Sequence, residues 1–133
     1  MVDVHMDPQV LAGLQEVMEG EYPQLLDTFL HDSEERVKAL HKAGGDTQAL
    51  RQIAHSFKGS SGNLGAVQLA LLCQELEMAS AGDIGGLVDQ IDREFALVRA
   101  MYKRELQRVL RGDWVPPLRR RRSFLARLKG LPD

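Results

Sequence analysis

One segment of this 133-residue chain carries residue types suited to chemistry: His55-Ser56-Phe57-Lys58-Gly59-Ser60-Ser61. On a helix turning about 100° per residue, Lys58 falls about 60° from His55 on one side and Gly59 about 40° on the other. Arg51, His55, Lys58, Gly59 and Gly62 share one stripe, and Leu50, Ile53, Ala54 and Phe57 share another. Burying the apolar stripe turns His55 to solvent. A neutral imidazole is a competent nucleophile near neutral pH. It can attack phosphorus and hold a phosphoryl group as a reactive phosphoramidate. The product adds close to two negative charges, which Lys58, one turn away, can offset. Glycine costs about 1 kcal/mol relative to alanine inside a helix, so Gly59 beside His55 reads as clearance for a second protein's loop. Gly62 either extends that strip or belongs to the turn that follows.

A phosphorylation site of this kind needs a metal near the transferring group. No acidic cluster with magnesium spacing falls on a loop. The chain itself is expected to need no cofactor, with Mg²⁺ supplied by the partner. No two-His helix pair or Cys/His cluster suggests zinc. Ser60 and Ser61 sit in no Gly-x-Ser-x-Gly elbow, and their hydroxyls read as helix-terminating and packing groups. His5, His31 and His41 read as surface histidines without partners, and Met18, Met78 and Met101 as core filler. Cys73 lies in an apolar stripe and reads as a small buried hydrophobe.

The elements that position this segment are helices. Asp7-Pro8 opens a short helix that Gly20 ends. A second runs from Tyr22 to Ala43, stopped by Gly44-Gly45. A third runs from Asp46 or Thr47 to Ser61, followed by a Gly62-Asn63-Leu64-Gly65 turn. A fourth covers Ala66 to Ser80 and a fifth Ile84 to Leu110. No stretch alternates as a strand does. The pattern predicts an all-α, antiparallel up-down-up-down four-helix bundle with the short first helix capping one end. Residues 1–111 form that domain. Residues 112–133 form a tail that reads as flexible, with Trp114-Val115-Pro116-Pro117 barring helix continuation and Arg119 to Arg122 in a run.

Charge separates the two parts. Residues 1–111 hold 11 Lys+Arg and 17 Asp+Glu, while residues 112–133 hold 6 and 2. The acidic body and 5% aromatic content argue against nucleic-acid binding by the bundle. One cysteine excludes an internal disulfide, and no signal peptide or membrane-length apolar run is visible, so a cytoplasmic protein is expected.

His55, Lys58-Gly59-Ser60-Ser61, Gly65, Leu69, Cys73 and Leu76-Glu77 together resemble the histidine-containing phosphotransfer (HPt) family, and most of all its stand-alone bacterial members. The resemblance spans about residues 7 to 110. It implies a four-helix bundle with the active histidine exposed mid-helix. It also implies transfer of a phosphoryl group from the receiver domain of a hybrid sensor kinase to a response regulator, by a carrier with no catalytic activity of its own. Carried over by position, His55 is the phosphorylation site, Lys58 the charge partner and Gly59 the clearance residue. Glu77 falls where the family places a polar residue able to hold the imidazole. Receiver docking is expected around Arg51 and Gly62, with Leu14 and Met18 contributing from the first helix. Membrane and nucleic acid are not expected partners. Two other readings are a helical adaptor without phosphate chemistry, which would tolerate His55→Gln, and a nucleic-acid binder acting through the basic tail.

Overall fold

The computed structural model describes residues 4–112. Five helices follow one another: α1 Pro8–Met18, α2 Tyr22–Ala43, α3 Thr47–Asn63, α4 Val67–Glu77 and α5 Ile84–Leu110. Short 3₁₀ turns at Glu19–Glu21 and Ala81–Asp83 join the first and last pairs. Helix α2 packs on α3 and α5, and α4 packs on the same two, so chain neighbours are also neighbours in space. This is the antiparallel up-down-up-down bundle that four amphipathic helices and short loops require. No strand occurs among the described residues. The tail features from Trp114 to Leu128, the Arg119–Arg122 run included, lie outside the described residues.

The bundle closes over one continuous core. Tyr22, Leu26 and Leu40 from α2, Leu50, Ala54 and Phe57 from α3, Leu69, Cys73 and Leu76 from α4, and Ile91, Val98 and Tyr102 from α5 are all essentially inaccessible. Two aromatic pairs tie α5 into the core, Phe29 of α2 with Tyr102 and Phe57 of α3 with Phe95. The two buried tyrosine hydroxyls find partners. Tyr102 donates to the Leu64 carbonyl at 2.6 Å, and Tyr22 donates to Glu105 Oε2 at 2.9 Å. Burial, with the Glu105 carboxylate beside it, lifts the Tyr22 hydroxyl far above the ordinary tyrosine range. Burial likewise pushes the Cys73 thiol up to about 12, so it sits in the core as a neutral, unreactive small side chain.

Helix α1 caps the end of the bundle where α3 turns into α4. Asp7 N-caps it through Gln9 N at 2.9 Å, with Pro8 in the first turn. The Asp7 amide donates to the Gly65 carbonyl at 2.9 Å, and Gln68 N donates to the Val4 carbonyl at 2.7 Å. Gly65 holds φ +80, and a Cβ there would stand 3.1 Å from Val10 Cβ and 3.3 Å from the Asp7 backbone nitrogen. A left-handed backbone and a crowded Cβ act in the same direction. Gly65→Ala should destabilise the domain by about 2 kcal/mol, read as a lower urea midpoint with unchanged slope.

Several boundaries differ from the sequence expectation. Helix α1 ends at Met18 and runs into a 3₁₀ turn, with Glu19 rather than Gly20 taking positive φ, at 50. Helix α3 continues through Gly62 to Asn63, and the tight turn is Leu64-Gly65. Helix α4 stops at Glu77, three residues short of Ser80. Met78, expected in the core, is 79% exposed just past that end. Once α4 stops, its apolar periodicity no longer sets which way the next residue points.

Candidate functional site

Helix α3 begins at an Asp46 N-cap, whose carboxylate accepts from Ala49 N at 3.1 Å. Its inner face, Leu50, Ala54, Phe57 and Ser61, is buried against the other helices. The opposite face therefore looks outward at mid-helix, and the His55 side chain is 70% exposed there.

Glu77, the last residue of α4, reaches His55 from the neighbouring helix. Its Oε2 lies 2.8 Å from His55 Nδ1, and its Oε1 accepts from Lys58 Nζ at 3.0 Å. One carboxylate thus ties both side chains of the stripe. A carboxylate can only accept, so the neutral imidazole carries its proton on Nδ1 and presents the Nε2 lone pair. The two ring nitrogens flank Cε1, so a bond at Nδ1 turns Nε2 away from Glu77. The Lys58 ammonium and then the His55 ring hold the Glu77 carboxyl below its ordinary 4.5. A group depressed in the folded state contributes fully above its ordinary pKa, and the contribution fades as pH falls through the lower folded value. The clamp is therefore complete at neutral pH and opens only in acid. Glu77→Ala should release the tautomer, moving the His55 ¹⁵N signature from Nδ1–H toward Nε2–H. It should also slow phosphoryl uptake about fivefold, the worth of one orienting hydrogen bond near 1 kcal/mol. An unchanged ¹⁵N pattern would remove Glu77 from the role.

The structure sorts the other candidate residues. Gly59 and Gly62 both lie on α3, and a Cβ at either would meet nothing within 4 Å. Nothing inside the molecule asks for glycine there, and Gly62 belongs to the outward strip rather than to the turn. Arg51 sits one turn before His55 and donates from Nη2 to the Ala79 carbonyl at 3.2 Å. Gln48, Arg51, Gln52, His55 and Glu77 line one open hollow of about 590 Å³. Leu14 and Met18 do not join His55. They line a groove of about 450 Å³ with Leu25, Phe29 and Leu64, on the side of α3 away from Glu77. Ser60 and Asn63 form its α3 wall.

Sequence reasoning missed Arg36. This α2 residue donates from Nη2 to Ser56 Oγ at 3.2 Å and from Nη1 to Ser60 Oγ at 3.3 Å. Its place on the polar side of α2 made it look like one solvated charge among several. The serine hydroxyls are correspondingly not helix terminators: Ser60 lies within α3 and Ser61 is fully buried. Two histidines read as partnerless are paired, His5 with Glu94 at 2.6 Å and His41 with Asp92 at 2.7 Å. Among the described residues, no group of three or more His, Cys, Asp or Glu side chains could hold a metal ion. No helix among them is long and apolar enough to cross a membrane.

A helical bundle presenting an exposed, oriented imidazole beside a lysine and two unfilled glycine positions defines a carrier of phosphoryl groups on histidine. The Hpt domain model matches residues 24–110, and the chain belongs to that family. It is similar to histidine-containing phosphotransfer protein B (HptB) from Pseudomonas aeruginosa PAO1. The two share 58% identity and superpose with a TM-score of 0.74, over 78% of this chain and 96% of that one. No curated protein matches. Histidine phosphotransfer in phosphorelay signalling follows from the family, with receiver domains as the class of partner.

Proposed function

We propose that His55 is the phosphorylated residue, loaded from the receiver-domain aspartate of a hybrid sensor kinase and unloaded onto the receiver of a response regulator in the cytoplasm. The observation that carries this reading is the His55–Glu77 bond, which leaves Nε2 as the outward-facing nucleophile. In loading, the Nε2 lone pair forms the N–P bond while the P–O bond to aspartate breaks and the carboxylate departs. The proton on Nδ1 stays where it is, and the positive charge that develops on the ring is met by Glu77. Lys58, held by the same carboxylate, stands ready for the added negative charge.

The chain's part is position rather than catalysis. Mg²⁺ and the acidic acceptor come from the receiver. The strip at Gly59 and Gly62 admits the receiver's phosphorylated loop. The groove of Leu14, Met18 and Leu25 takes an apolar patch beside that loop. The test is a transfer assay with a phosphorylated receiver domain of a hybrid kinase from the same organism, in Mg²⁺. The expected result is acid-labile phosphate on this chain, and transfer onward to a second receiver. If cognate receivers leave it unlabelled, the adaptor reading takes its place.

A further inference from the structure

Arg36 places a second cation against α3, on the serine side of His55. Moving around α3 at about 100° per residue, Lys58 lies about 60° to one side of His55, while Ser56 and Ser60 lie about 100° and 140° to the other. Gly59, with open space where a side chain would be, separates His55 from the two serines. The Arg36 guanidinium rests on both serine hydroxyls, so it flanks the glycine strip opposite the Lys58–Glu77 pair. It also lines the groove of Leu14, Met18 and Leu25, so a protein seated in that groove and over His55 would cover it.

Two observations separate this arginine from an ordinary surface charge. First, Lys58 is already paired with Glu77, whereas no carboxylate of the described residues lies within ion-pair distance of Arg36. Second, its partners are neutral hydroxyls at 3.2 and 3.3 Å, bonds an incoming anion can outcompete because it adds opposite charge and a bidentate fit to the same donors. The guanidinium is half-buried and partly ordered in advance, with donors left over for a planar oxyanion.

Resting on the proposed transfer role of His55, we propose that Arg36 anchors an oxyanion carried in by the docked receiver domain, and so sets the register of that domain over His55. The oxyanion has two sources on a receiver, a surface carboxylate or the phosphoryl group itself.

The test uses the full chain as wild type, Arg36→Ala, Arg36→Lys and His55→Gln. The donor is the receiver domain of a cognate hybrid kinase, phosphorylated with acetyl phosphate. Arg36→Ala should raise KM for the phosphorylated receiver about tenfold, the loss of one charge-assisted contact across an interface. The kcat should change less than about threefold. Arg36→Lys should recover part of the KM, which a lost α2–α3 staple would not produce if both variants melt alike. Binding of the same receiver with and without beryllofluoride then separates the sources. An equal loss of affinity in both states assigns the carboxylate, and a loss confined to the beryllofluoride state assigns the phosphoryl group. Wild-type KM in Arg36→Ala, with His55→Gln unlabelled alongside, overturns the anchor and leaves the transfer reading intact. An unlabelled wild type overturns the transfer reading and the anchor with it.

Discussion

His55→Gln should carry no acid-labile phosphate under conditions that label the wild type fully, a loss of at least about 100-fold, while melting at nearly the same temperature. The two halves of this expectation have separate causes. Transfer to histidine has one nucleophile, and a carboxamide nitrogen, whose lone pair is delocalised into the carbonyl, cannot replace it. Stability, by contrast, draws little from the imidazole. The ring is 70% exposed and makes one hydrogen bond, to a partly exposed glutamate. Glutamine fits a helix at least as well as histidine, and its amide can still donate to Glu77. The variant should therefore stay within about 1 kcal/mol of wild type, the range of a solvent-exposed polar contact. Phosphate counting after acid and base treatment, beside a thermal melt, reads both quantities. Residual acid-labile label would move the site to another histidine. The histidines to examine are then His5, His31 and His41.

Much of this site was legible before any coordinates, and what was missed has a common cause. The limits of α2 and α5 follow from local signals, Gly44-Gly45 after Ala43 and Asp83 before Ile84. The outward turn of His55 follows from its apolar neighbours one, two and five positions away on the same helix. Both are short-range patterns. Glu77 lies 22 residues from His55, and only the family resemblance pointed to it. Arg36 lies 20 residues from Ser56, His41 lies 51 from Asp92, and His5 lies 89 from Glu94. Those pairings depend on which helices pack side by side and at what height. Composition and helical period do not encode that. Gly62, which the sequence left between the outward strip and the turn, lies within a helix that continues to Asn63, and Gly65 supplies the left-handed turn.

Phe57→Ala should do the opposite of His55→Gln, leaving the chemistry in place and removing the frame. Phe57 sits on α3 two residues from His55, is fully buried, and meets Phe95 of α5 edge-on at 6.3 Å between ring centres. Truncating a buried phenylalanine costs about 3–5 kcal/mol, the transfer term plus the cavity left behind. Whole domains of this size hold about 5–15 kcal/mol, so roughly a fifth or more of the stability is at stake. The melting temperature should fall on the order of 15 °C. The His55–Glu77 bond joins two helices whose spacing this core sets, so uptake of phosphate should be near normal in the cold and disappear with the melt. His55→Gln, in contrast, should fail at every temperature. Phe57→Leu, which keeps most of the volume, should cost less than about 1.5 kcal/mol and restore uptake at the warmer temperatures. Labelling measured against circular dichroism over one temperature series distinguishes these cases. If Phe57→Ala kept a wild-type melt and yet lost its label, α3's inner face would be acting on the site directly, and the division of α3 into a structural face and a chemical face would fail.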